Sequence, residues 1–157
     1  MLRRTFFQSG LVAAAGLAGC GLGPPAGLTV VCDMDLRLPL IHAAALWPDR
    51  RNGPYDVRSD QTERALGLRM EALDGGLVVT REPKQANRLQ RMGLARLDHR
   101  WTRTLGGGEI ILIATRGDFR RQSRAIAFAR WLASPAADPA LSLPDRAPRD
   151  VAALSGP

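Results

Sequence analysis

The chain has 157 residues, 22 of them Lys or Arg against 15 Asp or Glu, which leaves a net charge of +7. The length allows one domain, and an apolar share of 45% is enough to bury a real core. The surplus charge is nearly all arginine, scattered along the chain with only 5% aromatic residues for base stacking. That pattern argues against nucleic acid and for a solvated surface compatible with anionic lipid headgroups.

At the amino terminus, Arg3 and Arg4 form a charged head on a modestly apolar stretch from Phe6 to Gly19. The stretch is too short to cross a bilayer, which takes about 20 apolar residues, and has the form of a cleavable signal. It ends in Leu17-Ala18-Gly19-Cys20, which resembles the lipobox of bacterial lipoproteins. The resemblance implies removal of residues 1–19, diacylglycerol on the Cys20 thiol, and a location in the periplasm or cell envelope. Arg3-Arg4-Thr5-Phe6-Phe7 is also similar to a twin-arginine export signal, which implies folding before export. An ordinary secretory signal is the alternative reading of both. Residues 20–27, with Pro24 and Pro25, are expected to tether the lipid to the domain. With Cys20 acylated, Cys32 has no disulfide partner and reads as a small buried side chain. No paired-cysteine spacing or His-rich tract occurs, so neither a metal nor a cofactor is expected.

In the mature chain, short apolar runs alternate with helical patterns. Leu28 to Cys32 is β-rich without helical period and predicts a first buried strand. A short helix is expected over Leu38–Trp47, ended by Pro48 and a polar turn, then a second strand over Tyr55–Arg58. Asp60 and Glu63 have capping-box spacing at the start of a helix running to about Leu73, with Ala65, Leu68 and Ala72 on its apolar stripe. After Gly75-Gly76, Leu77 to Val79 predicts a third strand. Pro83 suits the first turn of the next helix, which should turn Ala86, Leu89 and Met92 inward and stop at Gly93. Trp101–Leu105 and Glu109–Thr115 read as extended segments joined by a glycine turn, which lacks the helix and Lys-Ser/Thr of a phosphate loop. The last helix is expected over Ser123–Ala133, with Ile126, Phe128, Ala129 and Leu132 inward. From residue 135 to 157 the Pro-, Ala- and Asp-rich composition predicts a poorly ordered tail. This order predicts an α/β fold, a three-layer sandwich with a mostly parallel sheet, spanning residues 28–134.

Several of these stretches resemble the periplasmic molybdate-binding proteins, solute receptors of ABC transporters. The similar parts are the strand and turn Leu28–Leu36, the stretch Leu66–Leu94 with Leu77-Val78-Val79-Thr80, and the strand Glu109–Ala114. The run AIAFARWLASPA, Ala125 to Ala136, is similar to the family's returning helix with its Leu-x-Ser-Pro ending. The resemblance implies one lobe of a binding-protein-like fold, a small solute such as an oxyanion, and an ABC permease as partner. It implies ligand contacts at Asp33 and Asp35 in the first turn, at Ser59 and Thr62 in the second, and at Thr80.

This chain departs from the family in two ways. Thr115 and Ser123 are too close in sequence for a second lobe between them, so the site is open on one side. The turns carry Asp35 where the family pattern has a serine, together with Asp33 and Asp60, and these carboxylates oppose an oxyanion. Three readings remain for these acids: caps and turn residues without ligand, contacts to a cationic or polar organic ligand, or a hard metal ion. The last lacks the six or more oxygens that calcium prefers. Catalysis would need a Cys32–His42 nucleophile and base, or His99 with Asp98; neither pattern is compelling, and no catalytic residue is assigned. The expectation is therefore a solute-binding lipoprotein of an ABC importer. The alternative is an envelope interaction lipoprotein that keeps the lobe without transport.

Overall fold

The computed structural model describes residues 26–59 and 74–142. The signal, Cys20, the expected helix over 60–73 with its capping box and Thr62, and residues 143–157 lie outside them.

The domain is α/β, built on a five-stranded mixed sheet. In chain order the elements are β1 (Leu28–Cys32), α1 (Arg37–Leu46), β2 (Tyr55–Ser59), β3 (Leu77–Thr80), α2 (Pro83–Arg91), β4 (Ala95–Leu105), β5 (Gly108–Thr115), α3 (Phe119–Ala133) and α4 (Asp138–Leu141). The strand order is β2-β1-β3-β5-β4. β1 runs parallel to β2 and β3, whereas β5 is antiparallel to both β3 and β4. Four of the five strands thus run one way and β5 alone opposes them, so the sheet is mixed but mostly parallel at its core, as the alternation of strands and helices suggested. The reversal at β5 has a local cause: Gly106 (φ 60°) and Gly107 (φ 75°) both occupy the left-handed region, as a two-residue type I′ turn requires. That turn folds β4 back on β5, and no crossover helix intervenes. Both edge strands, β2 and β4, carry charged side chains, which discourages pairing with another chain.

Buried side chains of the inner strands alternate between two faces, as the strand period of two demands. Val30, Leu77, Val79, Ile110 and Leu112 face one cluster with Leu40 of α1 and Phe128 and Leu132 of α3. Val31, Val78, Ile111 and Ile113 face the other with Ala86 and Leu89 of α2. Phe128, fully buried, packs at 5.0 Å from Trp47; burying such a side chain stabilises by about 1.5–3 kcal/mol.

Three local expectations are corrected. Met92 is 55% exposed instead of turned inward. Helix α2 ends at Arg91 and Gly93 takes φ 71°, so the chain leaves the Ala86–Leu89 stripe before Met92 can join it. Helix α3 begins at Phe119, a turn earlier than its apolar pattern, because the Asp118 carboxylate caps the N–H groups of Arg120 and Arg121. Residues 135–142 are not tail: a 3-10 turn (Pro135–Ala137) and α4 bury Ala137, Ala140 and Leu141. Arg103 of β4 holds this segment by donating to the carbonyls of Leu132 and Ser134 and to the Asp138 carboxylate.

Candidate functional site

The carboxyl ends of β1 and β3 lie side by side, and the turns leaving them carry the candidate residues. Beyond Cys32 the parallel ladder continues for one more bond, from Asp33 N–H to Val79 O at 3.2 Å. Asp33 is extended (φ −62°, ψ 152°) and precedes a 3-10 turn over Met34–Leu36, yet its side chain caps nothing there. It turns toward β3 instead. Its carboxylate accepts the Arg81 backbone N–H at 2.7 Å and the Thr80 hydroxyl at 3.1 Å. The Thr80 hydroxyl also accepts the Glu82 N–H at 3.0 Å and lies 3.2 Å from Gln85 Oε1, so its single proton is shared between two acceptors. Arg81 Nε donates to Asp35 at 2.8 Å, and Arg81 Nη1 donates to the Leu105 carbonyl at 3.1 Å.

Asp33, Asp35 and Thr80 are therefore brought together, with Arg81 as the fourth member. Ser59 stands apart: it ends β2, and its hydroxyl donates to the Met34 sulfur at 3.4 Å. Thr62 lies outside the described residues. Asp33 is no simple turn residue, since its contacts, Thr80 and Arg81, lie 47 and 48 residues away at the end of another strand.

Beside this cluster runs an open groove of about 500 Å³, walled by Asp35 and Pro39, by Arg81 and Arg103, and by Asp138 and Leu141. Two ion pairs line it, Arg81–Asp35 and Arg103–Asp138. Both arginines escaped the reading of the sequence. Arg81 could have been found from its position in the turn between a strand end and Pro83. Arg103 sits on a strand of alternating polar residues, and nothing local marks it.

The cysteine and histidine pairings considered for catalysis do not form. Cys32 is 3% exposed and its thiol donates to Arg58 O. Burial, reinforced by the negative charge of Asp33, pushes this thiol up to about 12, which leaves it protonated and unreactive at neutral pH. His42 Nδ1 is 2.7 Å from the Ala140 carbonyl, and this bond ties α1 to α4. Asp98 pairs with Arg96, and His99 stacks on Trp101 at 6.4 Å. Among the described residues no group of three His, Cys, Asp or Glu side chains is arranged to hold a metal ion, and no helix is long and apolar enough to cross a membrane.

The cluster can offer hydrogen-bond donors and acceptors of both signs at one rim. Its strongest acceptor, Asp33, already accepts the Arg81 N–H and the Thr80 hydroxyl from within the chain. Comparison with protein-family profiles, with curated proteins and with solved structures finds no match to this chain.

Proposed function

We propose that this chain is a lipid-anchored, extracytoplasmic solute-binding protein of an ABC importer, related to the molybdate-binding proteins and reduced to one lobe. On this reading the helices on both faces of the sheet form the three layers of that lobe. The observation that carries it is the convergence of Asp33, Thr80 and Arg81 where β1 and β3 end, beside an open groove. Open α/β sheets bind ligands outside the carboxyl ends of their strands. The solute is not an oxyanion held in the family's manner. The Asp33 carboxylate already takes the Arg81 N–H and the Thr80 hydroxyl, which are the donors an oxyanion would need. A small polar organic solute suits the groove better, its anionic and cationic groups competing for Arg81, Arg103, Asp35 and Asp138.

A thermal-shift screen of the full chain against oxyanions, metal ions and polar organic solutes tests this. A shift with an organic solute that Arg81→Ala abolishes supports the reading; stabilisation by molybdate would show the argument about Asp33 to be wrong. Silence toward every solute favours the second reading, an envelope interaction lipoprotein, which the internal bonding of Asp33 to Thr80 and Arg81 also supports.

A further inference from the structure

The end of the sheet opposite the candidate site has a different character. The strand register brings Leu28 of β1, Leu77 of β3, Ala95 of β4 and Thr115 of β5 to this end. Large apolar side chains stand in solvent there, among them Leu97 at 81% exposure, Phe119 at 79% and Met92 at 55%. Scattered exposed apolar residues are ordinary, but these are set among exposed arginines. Arg91 closes α2 beside Met92, and Arg116, Arg120 and Arg121 flank Phe119. The Arg116 N–H donates to Leu94 O at 2.7 Å, which draws the two groups together. The nearby acids Asp74, Asp98 and Asp118 are outnumbered by Arg91, Arg96, Arg116, Arg120 and Arg121, and each has a local partner. Asp98 pairs with Arg96, Asp118 caps α3, and Asp74 accepts the Asp118 N–H at 2.7 Å.

The chain also enters the domain at this end. Ala26 precedes β1, and its carbonyl is held at 2.5 Å by Arg124, buried in the second turn of α3. Six residue steps separate Ala26 from Cys20, at most about 20 Å of extended chain. An acyl group on Cys20 would hold this end, and not the groove, against the bilayer.

We propose that this end is a membrane-docking face for a bilayer rich in anionic headgroups. Met92, Leu97 and Phe119 enter the headgroup region while the surrounding arginines pair with lipid phosphates, the division of labour of interfacial amphipathic surfaces. The groove then faces away from the membrane. This orientation rests on the lipid-anchored reading above; the docking chemistry does not. A nucleic-acid partner fits the arginines but leaves Leu97 and Met92 without a role, so lipid is the better match.

The test uses the full chain carrying Cys20→Ala, so that no acyl chain can form. It is sedimented with vesicles of phosphatidylcholine, alone or mixed with phosphatidylglycerol. We expect binding to the anionic vesicles only, weakening as salt rises. Arg120→Glu and Arg121→Glu each reduce partitioning by about fivefold or more, since a basic residue near such a surface contributes on the order of 1 kcal/mol. Leu97→Asp and Phe119→Asp also weaken it. Leu38→Asp, 62% exposed at the other end of the sheet, does not. Equal binding to both vesicle types overturns the proposal, as do variants that all match the parent. So does duplex DNA that binds as tightly as the anionic vesicles and is indifferent to Leu97→Asp. Labelled fatty acid on the parent chain reads Cys20 acylation separately: its absence removes the anchored orientation, while the vesicles alone decide the face.

Discussion

The Asp33 carboxylate accepts the Arg81 backbone N–H at 2.7 Å, so a side chain from the turn after β1 closes the turn after β3. The same carboxylate receives the Thr80 hydroxyl. Asp33→Ala should leave the Arg81 N–H without its acceptor and the Thr80 hydroxyl with Gln85 Oε1 alone, and cost about 1–3 kcal/mol, read as a lower urea midpoint. Asp33→Asn, which keeps one acceptor oxygen, should cost less. The vacated donors should also make the alanine variant newly responsive to small anions, with sulfate or molybdate raising its melting temperature while leaving the parent unchanged. An alanine variant as stable as the parent would mean that this closure contributes nothing.

Arg124 is 9% exposed, and its guanidinium donates to the carbonyls of Ala26 and Gly53 while lying 5.4 Å from the Trp47 ring centroid. Burial pulls its pKa below the usual arginine value, opposed by the charge of Asp49. Arg124→Met should strand these carbonyls and destabilise the fold by about 2–4 kcal/mol. Arg124→Lys keeps the charge but loses the fork and the stacking, and should recover only part of that. Full recovery by lysine in chemical denaturation would refute the geometric argument.

Cys32 has its thiol raised from an ordinary 9.0 to about 12 by burial and the charge of Asp33. In the Cys20→Ala chain it should resist a thiol reagent at pH 8 until the protein is unfolded. The unfolded thiol ionises above pH 9 while the folded one keeps its proton, so its contribution to stability is full below pH 9 and lost between pH 9 and 12. Prompt labelling of the native chain at pH 8 would contradict this.

Arg103 fastens the segment after α3 through the carbonyls of Leu132 and Ser134 and the carboxylate of Asp138. Arg103→Ala should free residues 135–142, seen as faster hydrogen exchange and earlier proteolysis there, with the five-stranded sheet still protected. A uniform loss of protection across the sheet would instead make Arg103 part of the global core.

Much of the local structure was legible before folding was considered. The β-branched run Leu28–Cys32, the Ile-rich stretch ending at Thr115, Pro83 at a helix start and the glycine turn at 106–107 each act on neighbouring φ and ψ, and each appears where those residues demand. The start of α3 and the fate of residues 135–142 were less legible, because a cap at Asp118 and a distant Arg103 outweigh apolar periodicity and composition there.

What this sequence determines by itself is therefore the succession of strands and helices, since backbone sterics and side-chain period act over a few residues. The tertiary structure alone decides that β5 inserts antiparallel between β3 and β4, that Asp33 turns to Arg81 instead of capping its own turn, and that Arg124 is buried under Ala26. Each of those depends on groups dozens of residues apart meeting in one low-dielectric place, where a polar atom must find whatever partner packing has brought to it.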